Sequence, residues 1–336
     1  MNIAINGFGR IGRATFKALL EKGKNIKVVA INDLTDTKTL AHLLKYDSCY
    51  GEYWGKIGST ADSIIVDGEK YRVYAEKDPA LLPWKDLKVD VVIECTGRFT
   101  NKADASLHIK AGAKKVVISA PGKGEGIKTI VLGVNEEKLN KSDNVFSMAS
   151  CTTNCLAPVT SVIEQKFGIK KAIMTTVHSY TADQNLVDGP HKDLRRARSA
   201  ALNIVPTTTG AAIAVTETIP SLKGKFDGGA MRVPTPTGSL CDVVYILKKN
   251  TDEKKVNEEM KKAAKSPKLK GILTVTEEPI VSSDIVGNPA SSIVDLALTK
   301  VLRGDLLKIV AWYDNEWGYS CRLADLCEYM GKKKLI

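Results

Sequence analysis

The stretch Ile3-Ala4-Ile5-Asn6-Gly7-Phe8-Gly9-Arg10-Ile11-Gly12 decides the fold of this chain. Ile3-Ala4-Ile5 reads as a short buried strand. Arg13 to Lys22 carries Phe16, Leu19 and Leu20 on one helical face, with Gly23 as a stop. A lone G-x-G-x-x-G is weak evidence, but between a strand and a helix it stands where a dinucleotide-binding fingerprint requires it. Gly7, Gly9 and Gly12 allow a tight turn and close backbone approach, so that a pyrophosphate can rest on the helix N-terminus.

Working outward, the next strand, Ile26 to Ile31, ends in Asn32-Asp33, about twenty residues past the last glycine. A carboxylate at that spacing accepts hydrogen bonds from ribose hydroxyls and repels a 2′-phosphate, which favours NAD over NADP. Val89 to Glu94 is a continuous apolar strand running into Cys95-Thr96-Gly97; Lys102 to Ala111 reads as a helix and Lys115 to Ser119 as a further strand. Parallel strands alternating with helices make a doubly wound sheet whose ligands sit at the carboxyl ends of the strands. Thr96, Gly97 and Ser119 fall at such ends, either lining a cofactor cleft or simply turning the chain.

A second informative stretch is Ser150-Cys151-Thr152-Thr153-Asn154. Asn144 to Ala149 reads as a short buried strand and Leu156 to Phe167 as a helix, so Cys151 stands at a strand-to-helix junction. The unpaired N–H groups and positive end of that helix favour a thiolate there; the alternative is a buried structural cysteine. Ala172 to Val177 is a strand that delivers His178, and an imidazole beside Cys151 would hold the thiolate and then serve as acid and base. Asp188 to Arg198 reads as a basic loop with a helical end, on a solvated or subunit-facing surface. Pro206 to Ala212 offers hydroxyls and backbone N–H groups suited to an anion, and Arg232 sits in a stiff strand-like run, a fork for phosphate oxygens. Cys151 and Cys155 lie at i,i+4 spacing, but no further Cys or His completes a zinc set, so Cys155 is assigned to packing and no metal is expected. No Walker-type phosphate loop is present, and Gly122 to Gly126 reads as a flexible loop.

The 336 residues suffice for two domains. No run of eighteen apolar residues offers a membrane span, and the N-terminus carries no basic leader. Seven scattered cysteines, an odd number, point to reduced thiols in a cytoplasm rather than to a disulfide framework. The net charge of +11 suits phosphorylated small molecules; without interleaved aromatics it does not make nucleic acid the primary partner.

Taken together, Asn6 to Arg13, Ser150 to Asn154, His178 to Thr181, Thr209 to Ala212, Arg232 to Pro236 and Trp312 to Tyr319 closely resemble, in order and over nearly the whole chain, the phosphorylating glyceraldehyde-3-phosphate dehydrogenases. The resemblance implies an α/β architecture: a Rossmann doubly wound NAD-binding domain over 1–150, an α+β catalytic domain with a mixed sheet over 151–319, and a helix within 320–336 packing back on the first. It implies Cys151 as nucleophile and His178 as acid and base. It implies Thr181, Asp183 and Arg232 around the substrate phosphate, and Ser150, Thr152, Thr209, Gly210 and one of Arg195 and Arg196, here Arg196, around the attacking inorganic phosphate. Arg10, Ile11, Asp33, Lys77, Ser119 and Asn315 match cofactor contacts, with Asn315 orienting the nicotinamide carboxamide. Pro190 beside Gly189 matches the NAD-specific members. The resemblance also implies a homotetramer with Tyr180 to Asn203 at its centre, and glyceraldehyde 3-phosphate and inorganic phosphate as partners.

Two departures stand out: Ile213 replaces a lysine common in the family, and Thr237-Gly238-Ser239 replaces Asn-Val-Ser. Ile213 is expected to weaken inorganic-phosphate binding. The nearest rivals are erythrose-4-phosphate dehydrogenase, which uses the same cysteine and histidine, and a catalytically silent NAD- or RNA-binding regulatory protein.

Overall fold

A computed structural model describes residues 1–23 and 25–336. They fall into two compact units, one of Met1–Ile130, Glu137–Ala149 and Ser320–Ile336, the other of Val131–Glu136 and Ser150–Tyr319.

The first unit is built on a nine-stranded sheet. Its centre is the strand Asn2–Asn6, parallel to Lys27–Asn32 on one side and to Val91–Glu94 on the other. Lys115–Ile118 and Val145–Ser147 continue the parallel array beyond Val91–Glu94, whereas on the other side Glu69–Tyr74 pairs parallel to Lys27–Asn32, and Ser63–Val66 and Ile57–Ser59 follow it antiparallel. Strand order therefore reverses beside Asn2–Asn6, and the crevice at that switch point is where a doubly wound sheet takes its ligand. The apolar runs read as buried strands are buried: Ile3, Ala4, Ile5, Val91, Val92, Ile93 and Val116 are sealed from solvent. Helix Arg10–Leu20 starts on the last turn of the glycine loop, three residues ahead of the periodicity that announced it.

The helix expected over Lys102 to Ala111 is two short pieces, Lys102–Ala105 and Leu107–Lys110. Ser106 stands at the joint, its hydroxyl donating to the Lys102 carbonyl at 2.6 Å, a local bond that competes with the helical ladder. The C-terminal helix spans Trp317–Lys332. Its residues from Ser320 onward belong to the first unit, where Lys22 forms ion pairs with Asp325 and Glu328.

The second unit carries a mixed seven-stranded sheet ordered Val205–Thr207, Phe226–Val233, Ile169–Ser179, Ser239–Leu247, Leu306–Tyr313, Ser292–Leu302, Leu273–Thr276. The doubly wound and mixed sheets expected from the sequence are thus both present. Strand register chooses the neighbours of the key side chains: His178 lies beside Arg232 across a parallel ladder, and Ser239 beside Tyr313 across an antiparallel one. Helix Cys151–Phe167 is buried nearly all round, which explains its weak amphipathic signal. Asp188 to Arg198 has no helical end. Ala197 N–H donates to Asp193 O at 3.1 Å as in one helical turn, but Asn185 N–H to Arg196 O and Gly189 N–H to Ala197 O tie the loop across itself before a helix propagates.

Candidate active site

Ala149 takes a left-handed φ of 54°, turning the chain sharply into the helix Cys151–Phe167. Ser150 caps that helix, its hydroxyl accepting from Thr153 N–H at 3.1 Å, and Cys151 is the first helical residue. Inside the strand Ile169–Ser179, rather than after it, His178 brings Nε2 to 3.5 Å from Cys151 Sγ. The other ring nitrogen, Nδ1, lies 2.7 Å from the Ser179 carbonyl. A carbonyl only accepts, so Nδ1 carries the proton and Nε2 presents its lone pair to the thiol. The Tyr313 ring meets the imidazole edge-on at 5.9 Å, and its hydroxyl bridges Thr152 Oγ1 at 2.8 Å and Thr176 Oγ1 at 2.9 Å.

Burial pushes the Cys151 thiol up to about 11, against the pull of Arg232 and of the Thr152 hydroxyl and N–H. Burial, then the Arg232 charge, lowers His178 to about 4, against the Ser179 carbonyl. Each shift opposes a charge formed alone. A proton moved from sulfur to imidazole creates both charges at once, side by side, with an attraction of about 5 kcal/mol at an effective dielectric of about 20. The helix terminus adds to the thiolate's favour. The attraction within the pair and the helix end together offset part of the cost that burial puts on forming the thiolate and imidazolium.

Two arginines are held close to this pair. Arg232 Nη1 donates to Thr181 Oγ1 at 2.9 Å and to Ser179 O at 3.3 Å, while its Nε is buried and without a partner among the described residues. Arg196 is pinned by Asp183, by Thr207 Oγ1 at 2.9 Å and by Thr208 O at 3.2 Å; Arg195 is exposed. The structure thus pairs Asp183 with Arg196, two residues the resemblance put in different subsites. The Asp183 carboxylate orients the Arg196 guanidinium. Thr209 Oγ1 accepts from Ala211 N–H at 3.2 Å, and Gly210 caps the helix Ala211–Thr218, which points free N–H groups outward. Ile213 in its first turn is 63% exposed, where a lysine would meet solvent or an anion. Asn315 Oδ1 accepts from Ser179 Oγ, Ser239 Oγ and Gly238 N–H at 2.9, 2.9 and 3.1 Å. Three donors on the oxygen fix the amide so that its NH2 is the group left to a ligand.

In the first unit Gly7, Gly9, Asp33, Lys77 and Thr96 line a cleft of about 300 Å³, with Asn6, Asn32, Glu76 and Phe99 beside them. The glycines fit a dinucleotide. A Cβ on Gly12 would lie 2.1 Å from Gly7 O, and one on Gly7 (φ +89°) 2.8 Å from Thr96 N, whereas Gly9 faces open space. Asp33 accepts from Phe8 N–H at 2.7 Å and Thr35 N–H at 2.9 Å, leaving lone pairs on both oxygens for ribose hydroxyls. Gly97 (φ +70°) turns the chain after Thr96, and Ser119 N–H bonds Glu94 O at the next strand end. Arg10, in the helix's first turn with Ile11, is drawn aside into an ion pair with Asp47 at 2.9 Å.

Residues 1–102 match the family described as glyceraldehyde 3-phosphate dehydrogenase, NAD binding domain, and residues 150–315 its C-terminal domain. The chain is 57% identical over 334 residues to glyceraldehyde-3-phosphate dehydrogenase of Streptomyces coelicolor, covering 99% of each. It is 55% identical over 338 residues to that of Borreliella burgdorferi, covering 99% of this chain and 100% of the relative. The chain belongs to the glyceraldehyde-3-phosphate dehydrogenase family.

As a member of that family it uses NAD as cofactor. Within the family motifs, sequence reasoning passed over Tyr313 and Ser179, which hold Thr152 and the His178 ring. Tyr313 is 161 residues from Thr152, and only the sheet register brings them together. Ser179 had a signal, since it comes directly after the histidine whose tautomer its carbonyl sets.

Proposed function

We propose that the protein oxidises glyceraldehyde 3-phosphate to 1,3-bisphosphoglycerate with NAD+ and inorganic phosphate, through a thioester on Cys151. The 3.5 Å approach of Cys151 Sγ to His178 Nε2, with Arg232 alongside, is the observation that carries this reading. As Cys151 sulfur attacks the aldehyde carbon, His178 takes the thiol proton and returns it to the carbonyl oxygen, giving a hemithioacetal. The Cys151 backbone N–H, at the helix start, faces the developing oxyanion. Bound NAD+ supplies the hydride acceptor. Loss of hydride from carbon, with the hydroxyl proton passing to His178, leaves the thioester. Inorganic phosphate then attacks the acyl carbon, the C–S bond breaks, and the Cys151 thiolate is restored beside His178.

Arg232 and Thr181 hold the substrate phosphate in this scheme. Arg196, oriented by Asp183, joins Ser150, Thr152, Thr209 and Gly210 around the attacking phosphate. We further propose a homotetramer. Leu186, Val187, Leu194, Leu202 and Ile204 form a run of large apolar side chains left open to solvent, as self-association requires. No helix among the described residues is long and apolar enough to cross a membrane, and all seven cysteines are free, in keeping with a cytoplasmic location.

The deciding experiment measures NADH formation from glyceraldehyde 3-phosphate and NAD+ with and without inorganic phosphate. Sustained turnover only with phosphate, and a single-turnover burst without it, is the expected result. Sustained turnover without phosphate would sink the thioester-phosphorolysis scheme, and a higher kcat/KM for erythrose 4-phosphate would reassign the substrate.

A further inference from the structure

Glu94, the last residue of the strand Val91–Glu94, is sealed from solvent directly before Cys95 and Thr96, which line the cofactor cleft. Among the described residues neither lysine nor arginine pairs with it; four neutral donors surround it instead. On Oε1 fall the Thr96 N–H, at 2.7 Å, and the Thr96 hydroxyl. On Oε2 fall Asn6 Nδ2, at 2.5 Å, and His108 Nε2, at 3.1 Å. Trp84 Nε1–H donates to His108 Nδ1 at 2.9 Å, so Nδ1 is an acceptor and the ring proton sits on Nε2, aimed at the carboxylate. The 3.3 Å approach of Asn6 Nδ2 to His108 Nε2 is then two donors converging on one oxygen.

The network continues to the cleft wall. Asn32 Nδ2 donates to Asn6 Oδ1 at 2.7 Å, and Asn32 Oδ1 accepts from Glu76 N–H at 2.9 Å. Asn6, Asn32 and Glu76 lie in the cleft wall and lead directly into the residues expected to meet the cofactor. Asn6 precedes Gly7, Asn32 precedes Asp33, Glu76 precedes Lys77, and Glu94 grips Thr96 directly. Gly7 and Thr96 already touch so closely that a Cβ on Gly7 would fall 2.8 Å from Thr96 N. Any shift of Thr96 is therefore felt at the glycine turn. A buried polar network with every member satisfied holds one arrangement, and one unmatched member makes it fail.

We propose that Glu94, oriented by His108, is a positioning residue for NAD binding that locks the Thr96 turn and the ends of three parallel strands in the arrangement the dinucleotide needs. Glu94→Gln keeps the shape but turns one acceptor into a donor facing donors, so Thr96 or Asn6 must move. His108→Leu removes one donor and strands the Trp84 N–H. His108→Gln restores a donor toward Glu94.

The test measures NAD+ affinity by calorimetry on folded protein, with the Cys151 alkylation rate and the thermal midpoint as controls. Glu94→Gln and His108→Leu are expected to raise the NAD+ Kd about tenfold or more, the loss of one charge-assisted hydrogen bond. Cys151 alkylation without cofactor should stay within about twofold, and His108→Gln should recover most of the affinity. Unchanged NAD+ affinity in folded Glu94→Gln would overturn the proposal. If Glu94→Gln does not fold, equal affinities for His108→Leu and His108→Gln would do the same. The proposal rests on the cofactor assignment; a wild-type protein that fails to bind NAD+ would refute that assignment first.

Discussion

At the scale of single residues, the pairing of Cys151 with His178 is the chemical centre, and it makes a pH prediction. The nucleophile in alkylation is the thiolate. In His178→Asn, burial still holds the thiol up near 11 and no imidazole takes its proton. Alkylation by iodoacetamide should then be slow at pH 7 and climb about tenfold per pH unit up to that value, whereas the wild type levels off at lower pH. Identical profiles would mean that the helix terminus and Arg232 activate the sulfur without the histidine. Asp33 carries a second prediction, because its carboxylate accepts from the Phe8 and Thr35 N–H groups and is proposed to hold the ribose as well. Asp33→Gly should weaken NAD+ and narrow its lead over NADP+, read as the ratio of the two kcat/KM values; an unmoved ratio would cancel the ribose role. Ile213→Lys should lower KM for inorganic phosphate, since the exposed first-turn position adds a cation beside Thr209 and Gly210. An unchanged KM would show that the anion does not reach that turn.

At the scale of elements, helix termini organise the site. Ser150 is both cap of the Cys151 helix and a proposed phosphate contact. Ser150→Ala should cost about 1 kcal/mol of stability in urea titration, and Ser150→Gly only a few tenths. If both variants raise KM for phosphate alike while differing in stability, cap and ligand roles are separate; equal stability would deny the cap. Strand ends place side chains just as firmly. Alternation along Ile169–Ser179 sets Thr176 and His178 on one face, where Tyr313 meets both. The break at Ser106 leaves His108 on its own short helical turn, facing Glu94.

For the whole molecule, the open apolar side chains around Leu202, which is 81% exposed, ask for a partner surface. Leu194→Asp with Leu202→Asp should convert the proposed tetramer to smaller species in sedimentation velocity. An unaltered assembly would move the interface elsewhere. The excess of basic residues acts over the same scale, drawing phosphorylated substrates toward the surface, an attraction that salt screens beyond about 10 Å at 0.1 M.

Much was settled by sequence alone because the deciding features are local. The glycine loop between strand and helix, the carboxylate about twenty residues on, and a cysteine at a helix start are each legible from neighbours along the chain. Periodicity also found the strands that lead into the glycine loop, Asp33, Cys151 and His178. It left unread Ile57–Ser59, Ser63–Val66, Glu69–Tyr74 and the strands Ser239–Leu247, Ser292–Leu302 and Leu306–Tyr313, and it missed where a serine hydroxyl cut a helix or a loop paired across itself. Tertiary structure decided what depends on residues far apart in the chain. It set Cys151 against His178 at 3.5 Å, gave that histidine its tautomer, pinned Arg196 with Asp183, and buried Glu94 among four donors. Sequence spacing cannot carry such information, because hydrogen-bond geometry and burial arise only when sheet register brings remote side chains within a few ångströms.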